Sequence, residues 1–277
     1  MIYDDRACGL GEGPLWHPVR HELFWFDINA CTLHSKAKSW SFDLSVSAAG
    51  WIDENTLLIA SESGLHRFDI NSGVLKDAFV HIEANTPTTR SNDGRADPWG
   101  GFWLGTMGFQ AQAKAGAIYR YYKGELRKLV SDVTISNAIC FTPNRSHAHY
   151  TDTPTKQIMR VALDPASGWP IEDAKVWLDL NDANLSPDGA VIDADGTFWV
   201  ALWGAGRVNG YAPVGTLIAS HKIDGLHTTC PAFGGDHLGD MFITSATQGI
   251  AGKLKNNGKT FRLPKIGKGQ KEHQVIL

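Results

Sequence analysis

Four side chains able to offer oxygen to a cation recur at nearly the same offset ahead of short apolar runs. Glu12 lies 13 residues before Trp25, Asn92 lies 11 before Trp103, Asn137 lies 13 before Tyr150, and Asp188 lies 11 before Trp199. Carboxylates and amide carbonyls are hard oxygen donors of the kind that hold divalent cations. Arg90, two residues ahead of Asn92, adds a fork of N–H donors suited to carboxylate or sugar hydroxyl oxygens. Residues this far apart act together only if the fold carries equivalent positions to one axis.

The apolar runs show what could do so. Leu23-Phe24-Trp25-Phe26, Leu57-Leu58-Ile59, Phe102-Trp103-Leu104, His149-Tyr150-Thr151, Phe198-Trp199-Val200 and Met241-Phe242-Ile243 centre on positions 25, 58, 103, 150, 199 and 242. Their aromatic and β-branched content, preceded by turns such as Asp195-Gly196, suits short buried strands. Six repeats spaced 33 to 49 residues apart predict an all-β, six-bladed β-propeller, one domain over residues 1–277. Equivalent positions of successive blades ring a central channel, which predicts a central metal site. In repeats two and six the same offset falls on Ser45 to Ser47 and on Thr229 to Pro231.

Composition agrees with many strands and tight turns: 29 glycines and ten tryptophans in 277 residues, with few helical periodic runs. A net charge of −3 with mixed signs gives no electrostatic reason to expect nucleic acid or an anionic membrane, so a small-molecule substrate is expected and no protein partner is indicated. The acidic start, MIYDDRACGLGEG, lacks the basic and then apolar pattern of a secretory signal, and no window approaches a membrane span. A soluble cytoplasmic protein is the expectation. Cys8, Cys31, Cys140 and Cys230 show no zinc-ribbon or disulfide spacing and are read as reduced and mostly buried, with Cys230 alone in a slot that could face the channel. Ile2 and Tyr3 form a candidate strand that could pair near the C-terminus and close the ring.

Local readings leave alternatives. Glu12, between Gly11 and Gly13, is a turn residue or a ligand; the repeat register favours ligand. Asn92-Asp93-Gly94 has the composition of a hairpin turn, or it presents polar groups to the channel. Asn137, inside an apolar run, is a ligand or part of a hydrogen-bond network. Gly116 to Val130 reads as a hairpin turning at Lys123-Gly124, and Asp193 to Gly196 as a turn. The segment 227–235 is a candidate pocket lining. His17 and His21 are expected in exposed loops, and His147 and His149 as structural. Lys265 to His273 reads as a solvated strand-and-turn region. No EF-hand register, Gly-x-Ser-x-Gly elbow, phosphate-cradling loop or dinucleotide fingerprint is present.

Five segments in order, GEGPLWHP at Glu12, RSNDGRADPWGGFWLGTM at Arg90 and Asn92, SNAICFTP at Asn137, PDGAVIDADGTFWVA at Asp188, and TTCPAFGG with DMFITSA, resemble the gluconolactonase and regucalcin (senescence marker protein) family of six-bladed propellers. The resemblance implies one divalent cation held by Glu12, Asn137 and Asp188, with calcium, zinc, magnesium, manganese and ferrous iron all compatible. It implies that Arg90 and Asn92 contact a sugar lactone. Some members carry a Glu three residues after the GTM motif that contacts the sugar; this chain has Gln110 there, which removes a charge. The implied activity is metal-dependent hydrolysis of an aldonolactone, with Asp188 as candidate general base as well as ligand, a metal hydroxide or a second carboxylate as the alternative to it, and Asp93 as the weaker candidate. A calcium-binding regulatory protein without turnover, and a propeller esterase for another lactone, are the rival expectations.

Overall fold

The computed structural model describes residues 1–252 and 255–277. Six antiparallel sheets are arranged as blades. Blade I comprises Gly11–His17, Glu22–Asp27, Thr32–Ser35 and Ser39–Ser41; blade III comprises Thr89–Ala96, Phe102–Gly108, Gly116–Tyr122 and Glu125–Val133. Blades II, IV and V begin with Val46–Trp51, Ser136–Phe141 and Ser186–Ile192 in the same way. These first strands touch one another in sequence around the ring, and His227–Gly234 of blade VI closes it back onto Gly11–His17.

All six apolar runs fall in second strands of the blades. Successive side chains of a strand point to opposite faces, so one strand serves two interfaces. In blade I, Phe24 and Phe26 pack with Leu57, Ile59 and Phe68 of blade II, while Leu23 and Trp25 pack with Phe242 of blade VI. Four further clusters fill the remaining gaps between neighbouring blades. Each wholly buried Phe or Leu side chain contributes about 1.5–3 kcal/mol of transfer free energy, so the ring rests on the blade-to-blade seams. Blade VI takes its outer strand from the start of the chain, with Ile2 opposite Phe261 and Asp4 opposite Thr260. That closure covers the outer edge of Thr260–Leu263 with the start of the chain, the pairing that the sequence suggested.

Two expectations fail. His17 is fully buried at a strand end, where Nε2 meets the Asp53 carbonyl at 3.0 Å and the ring lies between Phe24 and Trp51. The tail after residue 264 is also no solvated hairpin, since it crosses the face of the ring where the first strands end. On the way its backbone pairs with Gly239, Leu238, Ala194, Trp51 and Gly100. Gln270 donates to the Ile192 carbonyl at 2.8 Å, and Glu272 forms an ion pair at 2.6 Å with Arg95, both side chains largely buried. Lys265, Lys268 and Lys271 stay exposed, while Val275 is buried and anchors the end of the stretch. Among the described residues no helix is long and apolar enough to cross a membrane.

Candidate active site

At the opposite face the first strands begin, and all six share one irregularity. The ladder between first and second strand slips between Glu12 and Leu15, Val46 and Ala48, Ser91 and Gly94, Asn137 and Cys140, Pro187 and Ala190, and Thr228 and Pro231. A bulge sets extra residues against the partner strand and re-aims the side chains there. The positions found by counting back from the apolar runs therefore sit in or beside a bulge. Pro14, Pro187 and Pro231 are tolerated in these strands because the channel-side edge has no ladder to complete. Gly13 has φ of 53°, and a Cβ there would stand 2.3 Å from the Ser47 carbonyl oxygen. A Cβ on Gly189 would stand 2.4 Å from the Cys230 sulfur, so the turn after Asp188 packs against a buried thiol.

The bulges open into a cavity of about 570 Å³, within the range of small-ligand sites. Glu12, Arg90, Asn92, Asn137, Asp188 and Gln110 all line it. The first five are buried and Gln110 is exposed at the mouth. Segment 227–235, a candidate lining, does not reach the cavity; blade VI contributes Gln248 from the loop after its second strand. Cys230 is buried against packing partners rather than lining the cavity.

A hydrogen-bond relay fixes the wall from blade III to blade V. Arg90 Nη1 donates to Asn92 Oδ1 at 2.8 Å, and Asn92 Nδ2 donates to Asn137 Oδ1 at 3.1 Å and to the Ser136 carbonyl at 2.8 Å. Asn137 Nδ2 donates to Thr153 Oγ1 at 2.9 Å, whose hydroxyl donates to the Pro187 carbonyl at 2.8 Å. Donor and acceptor ends of both amides are thereby assigned. Asn137 keeps a free lone pair on Oδ1. Asp93 lies beneath, accepting the Ile139 N–H at 2.7 Å within the Asn137 bulge, where Ala138 takes a left-handed φ of 58°. Asn92-Asp93-Gly94 is thus a bulge and no hairpin turn.

Glu12 and Asp188 stand in hydrogen-bonding contact with each other. Burial, reinforced by the charge of Asp93, raises the Glu12 carboxyl to about 8, although the Gly13 N–H and Arg90 oppose this. Burial and then the Glu12 charge push Asp188 well above the carboxylate range. Burial lowers Arg90 to about 10, so it stays cationic at neutral pH. Two crowded, desolvated carboxylates beside a free amide oxygen form a donor set that a divalent cation fits, since its charge removes both penalties. Among the described residues no cluster of three His, Cys, Asp or Glu side chains forms a cage.

The sequence register did not find Thr153, which lies beyond the strand in a short 3₁₀ turn, or Glu62 and Trp203 at the cavity's edge. A hydroxyl just past a second strand carries no periodic signal.

A six-bladed propeller with acidic and amide oxygens converging at one end of its channel defines the class, and residues 10–247 match the family described as SMP-30/Gluconolactonase/LRE-like region. The chain belongs to that family. A Rhizobium meliloti protein, provisionally named a sugar lactone lactonase, is 39% identical over 281 residues, covering 97% of this chain and 94% of that one. A 6-deoxy-6-sulfogluconolactonase of Pseudomonas putida is 29% identical, covering 86% and 84%. Among solved structures, a calcium-binding protein, regucalcin, from Agrobacterium tumefaciens superimposes with a TM-score of 0.96 at 36% identity, covering 100% of this chain and 97% of that one.

Proposed function

We propose that the chain hydrolyses a sugar-acid lactone to its aldonic acid with one divalent cation held by Glu12, Asn137 and Asp188. The observation that carries this is the convergence of those three side chains with Arg90 and Asn92 on one cavity. The relatives' names support the reaction class. A bound cation supplies Lewis-acid polarisation of the lactone carbonyl and acidifies water.

The chain's own residues do the rest. Arg90 spends Nη1 on Ser91 and Asn92, leaving its other N–H groups without a protein partner among the described residues, free to donate to lactone oxygens. Asn92, tethered on both sides, holds Asn137 in register. Asp188, freed of its proton when the cation is bound, accepts a proton from the attacking water as the C–O bond to the acyl carbon forms. It returns that proton to the ring oxygen as the ring C–O bond breaks, so lactone and water give one hydroxy acid. Gln110 at the mouth offers an amide to an outer hydroxyl.

Metal-free protein and protein restored with calcium, zinc, magnesium or manganese would be assayed on glucono-, galactono-, xylono- and arabinonolactone. We expect metal-dependent turnover above the spontaneous rate, lost in Asp188→Ala with folding retained. Cation binding without turnover on any lactone would favour a binding protein, in line with the calcium-binding description of the Agrobacterium structure. Full activity in Asp188→Ala would refute the site.

A further inference from the structure

The cavity lining is electrically one-sided. Besides Glu12 and Asp188, the carboxyl groups of Asp43 and Glu62 line it, against the guanidinium of Arg90; no other Lys, Arg or His lines it among the described residues. His227, stacked on Trp203 with ring centroids 4.0 Å apart, has Nδ1 against the Gln248 carbonyl, and burial lowers its pKa. A divalent cation would neutralise Glu12 and Asp188. It would leave the edge contributed by blades I and II acidic. Glu62 is half-buried and pinned there, because its Oε2 accepts the Ser45 N–H at 2.9 Å at the ring slot of blade II. Asp43 lies two residues ahead of that same slot and is exposed.

Carboxylates are acceptors only, so this edge favours groups that donate. Sugar hydroxyls donate. Phosphate, sulfonate and carboxylate groups do not, and would bring a like charge within a Debye length of two fixed ones while losing water. We propose that Asp43 and Glu62 are specificity determinants that select lactones with uncharged, hydroxyl-bearing exocyclic groups and turn away those carrying an anionic substituent. This rests on the lactone-hydrolase reading.

The metal-loaded protein would be assayed on gluconolactone and 6-phosphogluconolactone, and the ratio of the two kcat/KM values compared with that of the Asp43→Asn/Glu62→Gln double variant. The ratio cancels effects on folding and on chemistry common to both substrates. We expect about 100-fold preference for the neutral lactone, falling about tenfold in the double variant and shrinking with added salt. Titration with glucitol and glucitol 6-phosphate gives a parallel readout that needs no turnover. If neither lactone is hydrolysed, the lactonase reading fails while glucitol binding still decides the selectivity. Equal or tighter handling of the phosphorylated probe, or a ratio unmoved in the double variant, would overturn the proposal.

Discussion

Replacing Glu12 by Gln removes a carboxyl group whose pKa is raised by burial and by the charge of Asp93 and whose own charge raises Asp188, and the consequence for stability is opposite with and without metal. The Glu12 carboxyl rises from 4.5 to about 8 in the folded chain. An acid raised on folding is protonated at low pH in both states. Stability is full below about 4.5 and falls as pH climbs toward 8, because the unfolded chain ionises first. A shift of that size corresponds to at most about 5 kcal/mol at 1.36 kcal/mol per pH unit. Sharing of the proton with Asp188 and entry of water reduce this, and about 2 kcal/mol is the expected gain for metal-free Glu12→Gln at pH 8.5. At roughly 2 °C per kcal/mol for a chain of this size, the melting temperature should rise about 4 °C at pH 8.5 and hardly at all at pH 5. Calcium or manganese should then stabilise the parent protein at pH 8.5 and fail to stabilise the variant. Thermal unfolding in chelator and in excess cation, at both pH values, provides the measurement. A metal-free variant less stable than the parent at pH 8.5, or one that keeps the full cation-induced gain, would refute the reasoning.

Thr153→Val should weaken cation affinity about 10- to 100-fold by releasing the Asn137 amide, while Thr153→Ser restores it; competition against a metallochromic chelator reads this. Arg90→Lys should lower kcat/KM about tenfold or more, because a single ammonium cannot both hold Asn92 and reach the substrate, and steady-state kinetics test it. Glu272→Ala leaves the Arg95 guanidinium buried without its partner and should cost about 3 kcal/mol by denaturant unfolding. The added change Arg95→Met should recover much of that loss. Deleting residues 1–5 should lower the melting temperature and promote association by baring the edge of blade VI, seen by light scattering.

Blade number was legible because each second strand serves two seams and so must be apolar on both faces, which leaves a run that recurs. Site positions were legible for a related reason. Glu12, Asn92, Asn137 and Asp188 occupy equivalent places relative to those runs, and the offset wanders between 11 and 13 as hairpin lengths change. The bulges themselves were hidden. Turn and bulge draw on the same backbone preferences, so Asn92-Asp93-Gly94 looked like a turn. His17 was misjudged because a loop-like sequence, His-Pro, precedes an aromatic seam that takes in its ring. The tail was misjudged because its lysines stand for the whole; the contacts are made by backbone amides, Gln270, Glu272 and Val275.

That tail also governs traffic. Among the described residues, the far end of the ring is crossed by 265–276 and the cavity is lined by Gln110 and Glu62 at the other end, so a ligand that enters past those two leaves past them. A product held in that cavity would occupy the place of the next substrate until it departs, so the architecture leads us to expect competitive product inhibition.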